Sequence, residues 1–248
     1  MLGPALVTFL IAGFQKAGTT ALFDYLTDYG DLALPSEKEL HFFDDESQDW
    51  DHPGYDGYHA RFPQAAGRPI GEATPIYAYW PQSLERIQAY NPAIRLILTL
   101  RDPVQRAWSH WRMETARGVE THPFGWCIRD GRQRLFEADP WGHHREFSYV
   151  ERGFYGEQVE RVFGLFPREQ VLLLTADRLR DDPEAALGQV RAFLGLSAAP
   201  TPAARTSHVG PDVGEPHPDD VAHLRAIYAE DAERLETLTG IRFGAAAR

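Results

Sequence analysis

Two short segments near the amino terminus combine residue types that suit the chemistry of phosphate or sulfate groups. The first, Gly13 to Thr20, has the sequence Gly-Phe-Gln-Lys-Ala-Gly-Thr-Thr. It lies between an apolar run and a stretch with helical spacing, so its backbone N–H groups and the helix start can bind an anion. Lys16 adds a compact positive charge. The second segment, Lys38 to Asp44, contains Glu39, and a carboxylate beside an attacking alcohol can serve as general base.

The glycine loop differs from the ATP- and GTP-binding loop G-x-x-x-x-G-K-[ST] in the position of its lysine. Thr19 stands where that loop has lysine, and Lys16 lies within the loop instead. A lysine there suits a shorter phosphosulfate group, whereas a triphosphatase also needs Mg²⁺ held by an acidic residue at a strand end. Two alternatives stay open: a small-molecule kinase with a related loop, and a plain glycine turn with a solvated Lys16.

Apolar runs alternate with helical patterns, which predicts an α/β sandwich of three layers around a central, mainly parallel sheet. We expect strands at 5–12, 69–73, 94–100 and 171–175, and helices at 21–29, 81–90, 104–118, 154–166, 183–194 and 218–238. Thr19 or Thr20 is expected to cap the first helix, and the arginines of the 104–118 helix are expected to face outward. For residues 35–67 we expect a long surface loop with short helical pieces. Loops of that length usually have functional roles.

Composition narrows the classes of function. The chain has 248 residues and a net charge of −11, so general attraction to nucleic acid or anionic lipid is not expected. Its single cysteine, Cys127, excludes an intrachain disulfide. The apolar run Leu6–Phe14 is too short to span a bilayer, and His41, His52 and His59 lack a metal-site spacing. We therefore expect one cytoplasmic domain over residues 1–248, with no membrane span and no metal.

The two segments resemble a known family. The strand-G-x-x-K-x-G-T-T-helix pattern is similar to the 5′-phosphosulfate loop of sulfotransferases that use 3′-phosphoadenosine 5′-phosphosulfate (PAPS). Lys38-Glu39-Leu40-His41-Phe42-Phe43-Asp44 resembles the K-E-x-H-F-F-D signature of the heparan sulfate O- and N-sulfotransferase branch. The segment from Arg101 to His110 is similar to the 3′-phosphate motif, and Arg152-Gly153-Phe154-Tyr155 also matches. The resemblance implies the P-loop-like sulfotransferase fold.

The resemblance also implies roles for individual residues. Glu39 is the expected general base, Lys16 neutralises charge on the leaving oxygen, and His41 orients Glu39 or the acceptor. The residues expected to bind PAPS, and its product PAP, are Gln15, Lys16, Ala17, Gly18, Thr19, Thr20, Arg101, Ser109 and Tyr155. The residues expected at the acceptor are Lys38, Asp44, Glu72, Thr74 and Tyr77.

The sequence departs from the family pattern at two places. Ala73 stands where the family's E-K-[ST]-P segment has lysine, and residues 209–218 contain no Lys or Arg where the family has a basic loop. Arg205 is a candidate substitute. Because a sulfated polyanion would need cationic partners, we expect a small molecule, lipid head group or neutral glycan to be the acceptor, through a hydroxyl or an amine. A non-catalytic protein that binds PAP or PAPS also stays open.

Overall fold

The computed structural model describes residues 6–203 and 214–244, which fall into two compact units. Among the described residues, the first unit comprises 6–100 and 163–203, and the second comprises 101–162 and 214–244. The strands are β1 (Phe9–Gly13), β2 (Gly71–Ala73), β3 (Arg95–Leu100) and β4 (Val171–Thr175). The helices are α1 (Thr19–Tyr29), α2 (Tyr55–His59), α3 (Ser83–Tyr90), α4 (Pro103–Ala116), α5 (Phe124–Cys127), α6 (Tyr155–Leu165), α7 (Ala176–Asp181), α8 (Pro183–Leu194) and α9 (Pro218–Thr239). The expectation of one domain stays a prediction.

The first unit contains a four-stranded parallel sheet in the order β2-β1-β3-β4. Its strands are mostly apolar and buried because helices flank the sheet, as is usual for parallel sheets, although β2 contains the buried Glu72. Leu22 and Leu26 of α1 and Leu187 of α8 pack into one core with Ile11 and Ile97. This confirms the predicted fold class and the four predicted strands. Since all four strands run the same way, their carboxyl ends lie along one edge of the sheet.

The start of α1 differs from the expectation. Thr19 is already the first helical residue, and the N-cap is Gly18, with φ of 90° in the left-handed region that glycine adopts without strain. The expectation that Thr19 or Thr20 caps this helix is therefore wrong, since both lie inside the first turn. The expected end is confirmed, because Gly30 is the C-cap with φ of 70°.

The second unit is built around α4, α5 and α9. Asp102 caps α4 with its side chain, which accepts hydrogen bonds from the backbone N–H groups of Val104 and Gln105 at 3.0 and 3.1 Å. The expectation that the arginines of this helix face outward is wrong for Arg106, which is fully buried. Its guanidinium donates to the carbonyl of Tyr149, so the buried charge has a partner.

Several elements were not expected from the sequence. α7 follows β4 directly and begins at a Thr175 cap, and α5 and the 3₁₀ segment Asp130–Phe136 lie between α4 and α6. The short α2 confirms a helical piece in the long loop. Arg205, the candidate substitute, and residues 209–213 of the segment that lacks Lys and Arg lie outside the described residues. Within residues 6–203 and 214–244, every helix is too short or too polar to cross a bilayer.

Gly71 allows a close approach inside the sheet, and this gives a test of the fold. A Cβ at this position would lie 2.3 Å from the ring of Phe9, which is itself buried. We expect Gly71→Ala to lower the free energy of unfolding by about 1–3 kcal/mol, the usual cost of overpacking, as measured by urea denaturation. Gly188→Ala in α8 is the matched control, because a Cβ there meets nothing within 4 Å. We expect that variant to gain up to about 1 kcal/mol, and equal losses in both variants would contradict the packing described.

Candidate active site

The glycine loop lies at the carboxyl end of β1. The backbone N–H of Phe14 donates to Thr99 of β3 at 2.8 Å, which fixes the loop to the neighbouring strand. Lys16 has φ of 68°, a left-handed conformation that is uncommon for a side chain other than glycine and is often found at functional sites. Because Gly18 has no side chain, the first-turn N–H groups of α1 have no side-chain cap from the N-cap position. The loop therefore fits an anion at a helix N-terminus.

The signature segment lies beside this loop, at the end of the adjacent strand. The backbone N–H of Glu39 donates to the carbonyl of Ala73, the last residue of β2, at 2.9 Å. β2 pairs with β1, so Glu39 and Lys16 lie at neighbouring strand ends on the same edge of the sheet. Glu39 and His41 have φ of 63° and 52°, both in the left-handed region. Two such residues around Leu40 indicate a backbone held in a strained shape by its surroundings.

The charged side chains of this segment form a chain of ion pairs. Lys38 Nζ contacts Glu39 Oε1, and His41 Nε2 lies 3.8 Å from Glu39 Oε2. The other ring nitrogen, His41 Nδ1, lies 2.8 Å from Oδ2 of Asp44, which is fully buried. The side chain of Glu39 is 39% exposed, so its carboxylate can be reached from solvent. Lys38, Glu39, His41 and Asp44 are thus linked in one chain of charged contacts.

These contacts shift two pKa values in opposite directions. Partial burial works against ionisation of Glu39, but the nearby imidazole of His41 and the charge of Lys38 outweigh it and lower the pKa to about 2. The hydrogen bond to Asp44 and the nearby carboxylate of Glu39 raise the pKa of His41 to about 9. At neutral pH Glu39 is therefore a carboxylate and His41 an imidazolium. The stability that His41 contributes is complete below about pH 6.5 and is lost as the pH rises through about 9.

Glu72, Thr74 and Tyr77, expected at the acceptor, are fully buried and bind one another. The hydroxyls of Thr74 and Tyr77 donate to the carboxylate of Glu72 at 2.6 and 2.8 Å, and Tyr58 donates to it at 3.2 Å. Tyr77 also accepts a hydrogen bond from the backbone N–H of Phe42 at 3.1 Å. Asp44 is buried as well. In this structure these side chains hold the signature segment against β2, and their expected role at the acceptor stays a prediction.

A second set of contacts fixes the segment that follows the signature. Arg86 of α3 donates to the carbonyl of Phe43 at 3.0 Å and to the carboxylate of Glu46 at 2.7 Å, and its guanidinium lies 4.2 Å from the ring of Trp50. Neither Arg86 nor Glu46 stood out in the sequence, since charged residues on a helix and in a loop show no pattern that links them. Next to this segment is a cavity of about 220 Å³ lined by Leu40, Phe42, Gln48, Gly54, Gly57, Tyr58 and Arg61.

The residues expected at the 3′-phosphate lie in the second unit. Arg101 and Ser109 are both half-buried, and Tyr155 is buried. Burial raises the pKa of Tyr155 to about 12, although the charge of Arg106 and the nearby backbone of Arg101 act to lower it. The Arg101 backbone and the Tyr155 hydroxyl are therefore neighbours within this unit. Among the described residues, no group of three or more His, Cys, Asp or Glu side chains is placed to hold a metal ion.

Comparison with protein-family models matches residues 7–208 to the sulfotransferase domain. The chain belongs to the sulfotransferase family. The match covers the glycine loop, the signature segment and all four strands, so it confirms the resemblance found in the sequence.

Two curated sulfotransferases and one solved sulfotransferase structure illustrate the relationship. This sulfotransferase is 28% identical over 264 residues to heparan sulfate glucosamine 3-O-sulfotransferase 6 of Mus musculus, covering 95% of this chain and 72% of that one. It is 31% identical over 188 residues to heparan sulfate glucosamine 3-O-sulfotransferase 3B1 of Homo sapiens, covering 75% of this chain but 45% of the human protein. A crystal structure of a sulfotransferase from Alicyclobacillus acidocaldarius has a TM-score of 0.81, 29% identity and 98% coverage of both chains.

The His41–Asp44 contact of this sulfotransferase gives a prediction about charge. Removing the buried carboxylate in Asp44→Asn should lower the pKa of His41 from about 9 toward its ordinary value of 6.5, because the hydrogen bond to Asp44 contributes most to the shift. Heteronuclear NMR of the imidazole ring measures this directly. His52→Gln is the control, since His52 is an exposed histidine outside the ion-pair chain and its loss should leave His41 unchanged. A His41 pKa that stays near 9 in Asp44→Asn would contradict the assigned contact.

Proposed function

We propose that this sulfotransferase moves a sulfuryl group from PAPS to a hydroxyl or amine of its acceptor, with Glu39 as general base and Lys16 at the leaving oxygen. The observation that supports this most is the hydrogen bond from Glu39 N–H to the end of β2. It holds an ionised, partly exposed carboxylate at the strand end next to the anion-binding loop. Acid–base catalysis needs this placement of a base near the reacting group.

The loop residues Gln15, Lys16, Ala17, Gly18, Thr19 and Thr20 are proposed to hold the 5′-phosphosulfate through backbone N–H groups and the two threonine hydroxyls. As the acceptor oxygen or nitrogen forms its bond to sulfur, the sulfur–oxygen bond to the 5′-phosphate breaks and PAP departs. Lys16 neutralises the negative charge that develops on that bridging oxygen. Arg101, Ser109 and Tyr155 are proposed to bind the 3′-phosphate, for which an arginine fork is well suited.

Glu39 takes the proton that the acceptor loses. With a pKa of about 2 it is ionised at neutral pH but is a weak base. Proton transfer to Glu39 should therefore accompany bond formation to sulfur, since the attacking group becomes strongly acidic at that stage. Lys38 and His41 keep the carboxylate ionised, and Asp44 acts through His41. Glu72, Thr74 and Tyr77 act indirectly, because they hold the signature segment in place.

The acceptor proposed here is a small molecule, a lipid head group or a neutral glycan. The net charge of −11 and the alanine at position 73 disfavour a sulfated polyanion such as the one in the names of the mouse and human relatives. Leu40, which lies between Glu39 and His41, lines the cavity of about 220 Å³, and we propose that a non-reacting part of the acceptor occupies it. The cytoplasm remains the expected location.

The proposed base can be tested with a matched pair of glutamates. We expect Glu39→Gln to lower kcat by about 100-fold or more, the usual contribution of a general base, while PAP still raises Tm without Mg²⁺. Transfer from PAPS to candidate acceptors is followed by mass detection of sulfated products. Glu37→Gln is the control, because Glu37 is an exposed residue of the same segment that pairs with Arg61.

Other outcomes of this experiment favour the alternatives. Full activity of Glu39→Gln would contradict the assigned base. Binding of PAP by the natural chain without transfer to any acceptor would favour a PAP- or PAPS-binding protein that lacks turnover. Mg²⁺-dependent transfer from ATP would instead favour the small-molecule kinase.

A further inference from the structure

The last helix of the second unit, α9, contacts the starts of two other helices in that unit. These are α4, which follows Arg101, and α6, which begins at Tyr155. We propose that Arg225 and Asp231 of α9 are positioning residues for the 3′-phosphate half of the donor site. The inference rests on the proposed function, because Arg101 and Tyr155 are assigned there to the 3′-phosphate.

Arg225 acts on the start of α4. The guanidinium nitrogen Nη2 of Arg225 lies 2.5 Å from Oδ2 of Asp102. The other carboxylate oxygen, Oδ1, caps α4 by accepting hydrogen bonds from the backbone N–H groups of Val104 and Gln105. Both oxygens of Asp102 are thus used, one by α4 and one by α9. Arg101 directly precedes Asp102, so the ion pair fixes the backbone from which the arginine side chain extends. The pair is part-buried and has charge-assisted geometry, which makes it stronger than an exposed ion pair.

Asp231 acts on the start of α6. Its two carboxylate oxygens accept hydrogen bonds from the backbone N–H groups of Gly156 and Glu157, each at 2.8 Å. A helix start leaves N–H groups without partners, and a carboxylate there is favoured by both hydrogen bonding and the helix dipole. The capping side chain comes from α9, 75 residues further along the chain than Gly156. It fixes the turn that contains Tyr155.

Two glycines of the Arg152-Gly153-Phe154-Tyr155-Gly156 segment permit this close approach. A Cβ on Gly153 would lie 2.4 Å from the hydroxyl of Tyr228, and a Cβ on Gly156 would lie 2.5 Å from the carbonyl oxygen of Asp231. The Tyr228 hydroxyl also donates to the carbonyl of Val150 at 2.9 Å. Arg225, Tyr228 and Asp231 are spaced three residues apart, and residues at that spacing are neighbours on a helix surface.

The consequence is a shared support for the two halves of the 3′-phosphate site. The hydroxyl of Tyr155 lies near the backbone of Arg101, and α9 fixes the chain next to each of them through Asp102 and Gly156. Loss of the Arg225 or Asp231 side chain should loosen the 3′-phosphate contacts while leaving the glycine loop of the first unit unchanged. The expected signature is therefore a selective loss of affinity for the 3′-phosphate and not a general loss of nucleotide binding.

The experiment measures Kd for PAP and for adenosine 5′-phosphate, which lacks the 3′-phosphate, by calorimetry on the full chain. We expect Asp231→Ala to weaken PAP binding by about tenfold and adenosine 5′-phosphate binding by less than about twofold. KM for PAPS should rise while kcat at saturating PAPS is retained. Because a carboxylate repels phosphate, a loss caused by removing Asp231 reports positioning rather than a broken direct contact. Arg225→Ala should act in the same direction, and Arg225→Lys should restore part of the affinity.

Arg234→Ala is the matched control. Arg234 also links α9 to α6, through Glu160 at 3.6 Å, but these two side chains are 39% and 61% exposed. Alanine keeps the Cβ of Arg234 that lies near Gly156, so the variant removes only the ion pair. We expect it to change neither Kd. If Asp231→Ala weakens the binding of both nucleotides equally, or if neither Asp231→Ala nor Arg225→Ala weakens PAP binding, the positioning role of α9 is overturned. The proposed function would not be affected by either result. If Asp231→Ala does not fold, Arg225→Ala decides, since its side chain is 40% exposed. A natural chain that binds PAP no more tightly than adenosine 5′-phosphate would overturn the proposed 3′-phosphate site as well.

Discussion

The structure of the candidate site depends on the hydrogen bond between the backbone N–H of Glu39 and the carbonyl of Ala73. It attaches the signature segment to the end of β2, and parallel pairing places that end beside the end of β1, where the glycine loop begins. A parallel sheet brings its strand ends to one edge, where ligands of such folds usually bind. One backbone contact thus converts two segments that are distant in sequence into neighbouring parts of a single site.

Neighbouring charged groups determine the ionisation state of Glu39, the proposed base. Buried Asp44 keeps His41 protonated, and His41 with Lys38 keeps Glu39 ionised. Burial raises the pKa of Glu72, while three hydroxyl donors, from Thr74, Tyr77 and Tyr58, act to lower it. The buried hydrogen-bond network and the exposed ion pairs therefore have different roles. The first fixes the shape of the segment, and the second fixes the charge that faces solvent.

The sequence predicted the fold well because its strong signals are local. The apolar strands, the long loop and the glycine that ends α1 follow from residue type and spacing. It did not predict the burial of Arg106, whose partner Tyr149 is 43 residues away, nor the buried network around Glu72, since these depend on tertiary contacts. The glycine loop was placed by its flanking elements, whereas Glu39 was found by family resemblance, because a Lys-Glu pair in a loop has no distinctive periodicity. The roles of Glu39 and Lys16 stay predictions.

A crystal structure of the chain with PAP bound tests the central claim most directly. We expect the 5′-phosphate to lie on the backbone N–H groups of residues 15–20 with the ammonium of Lys16 beside it, and the carboxylate of Glu39 to open onto the same cavity. A 5′-phosphate bound elsewhere, or a Glu39 carboxylate on a surface that shares no cavity with Lys16, would contradict it.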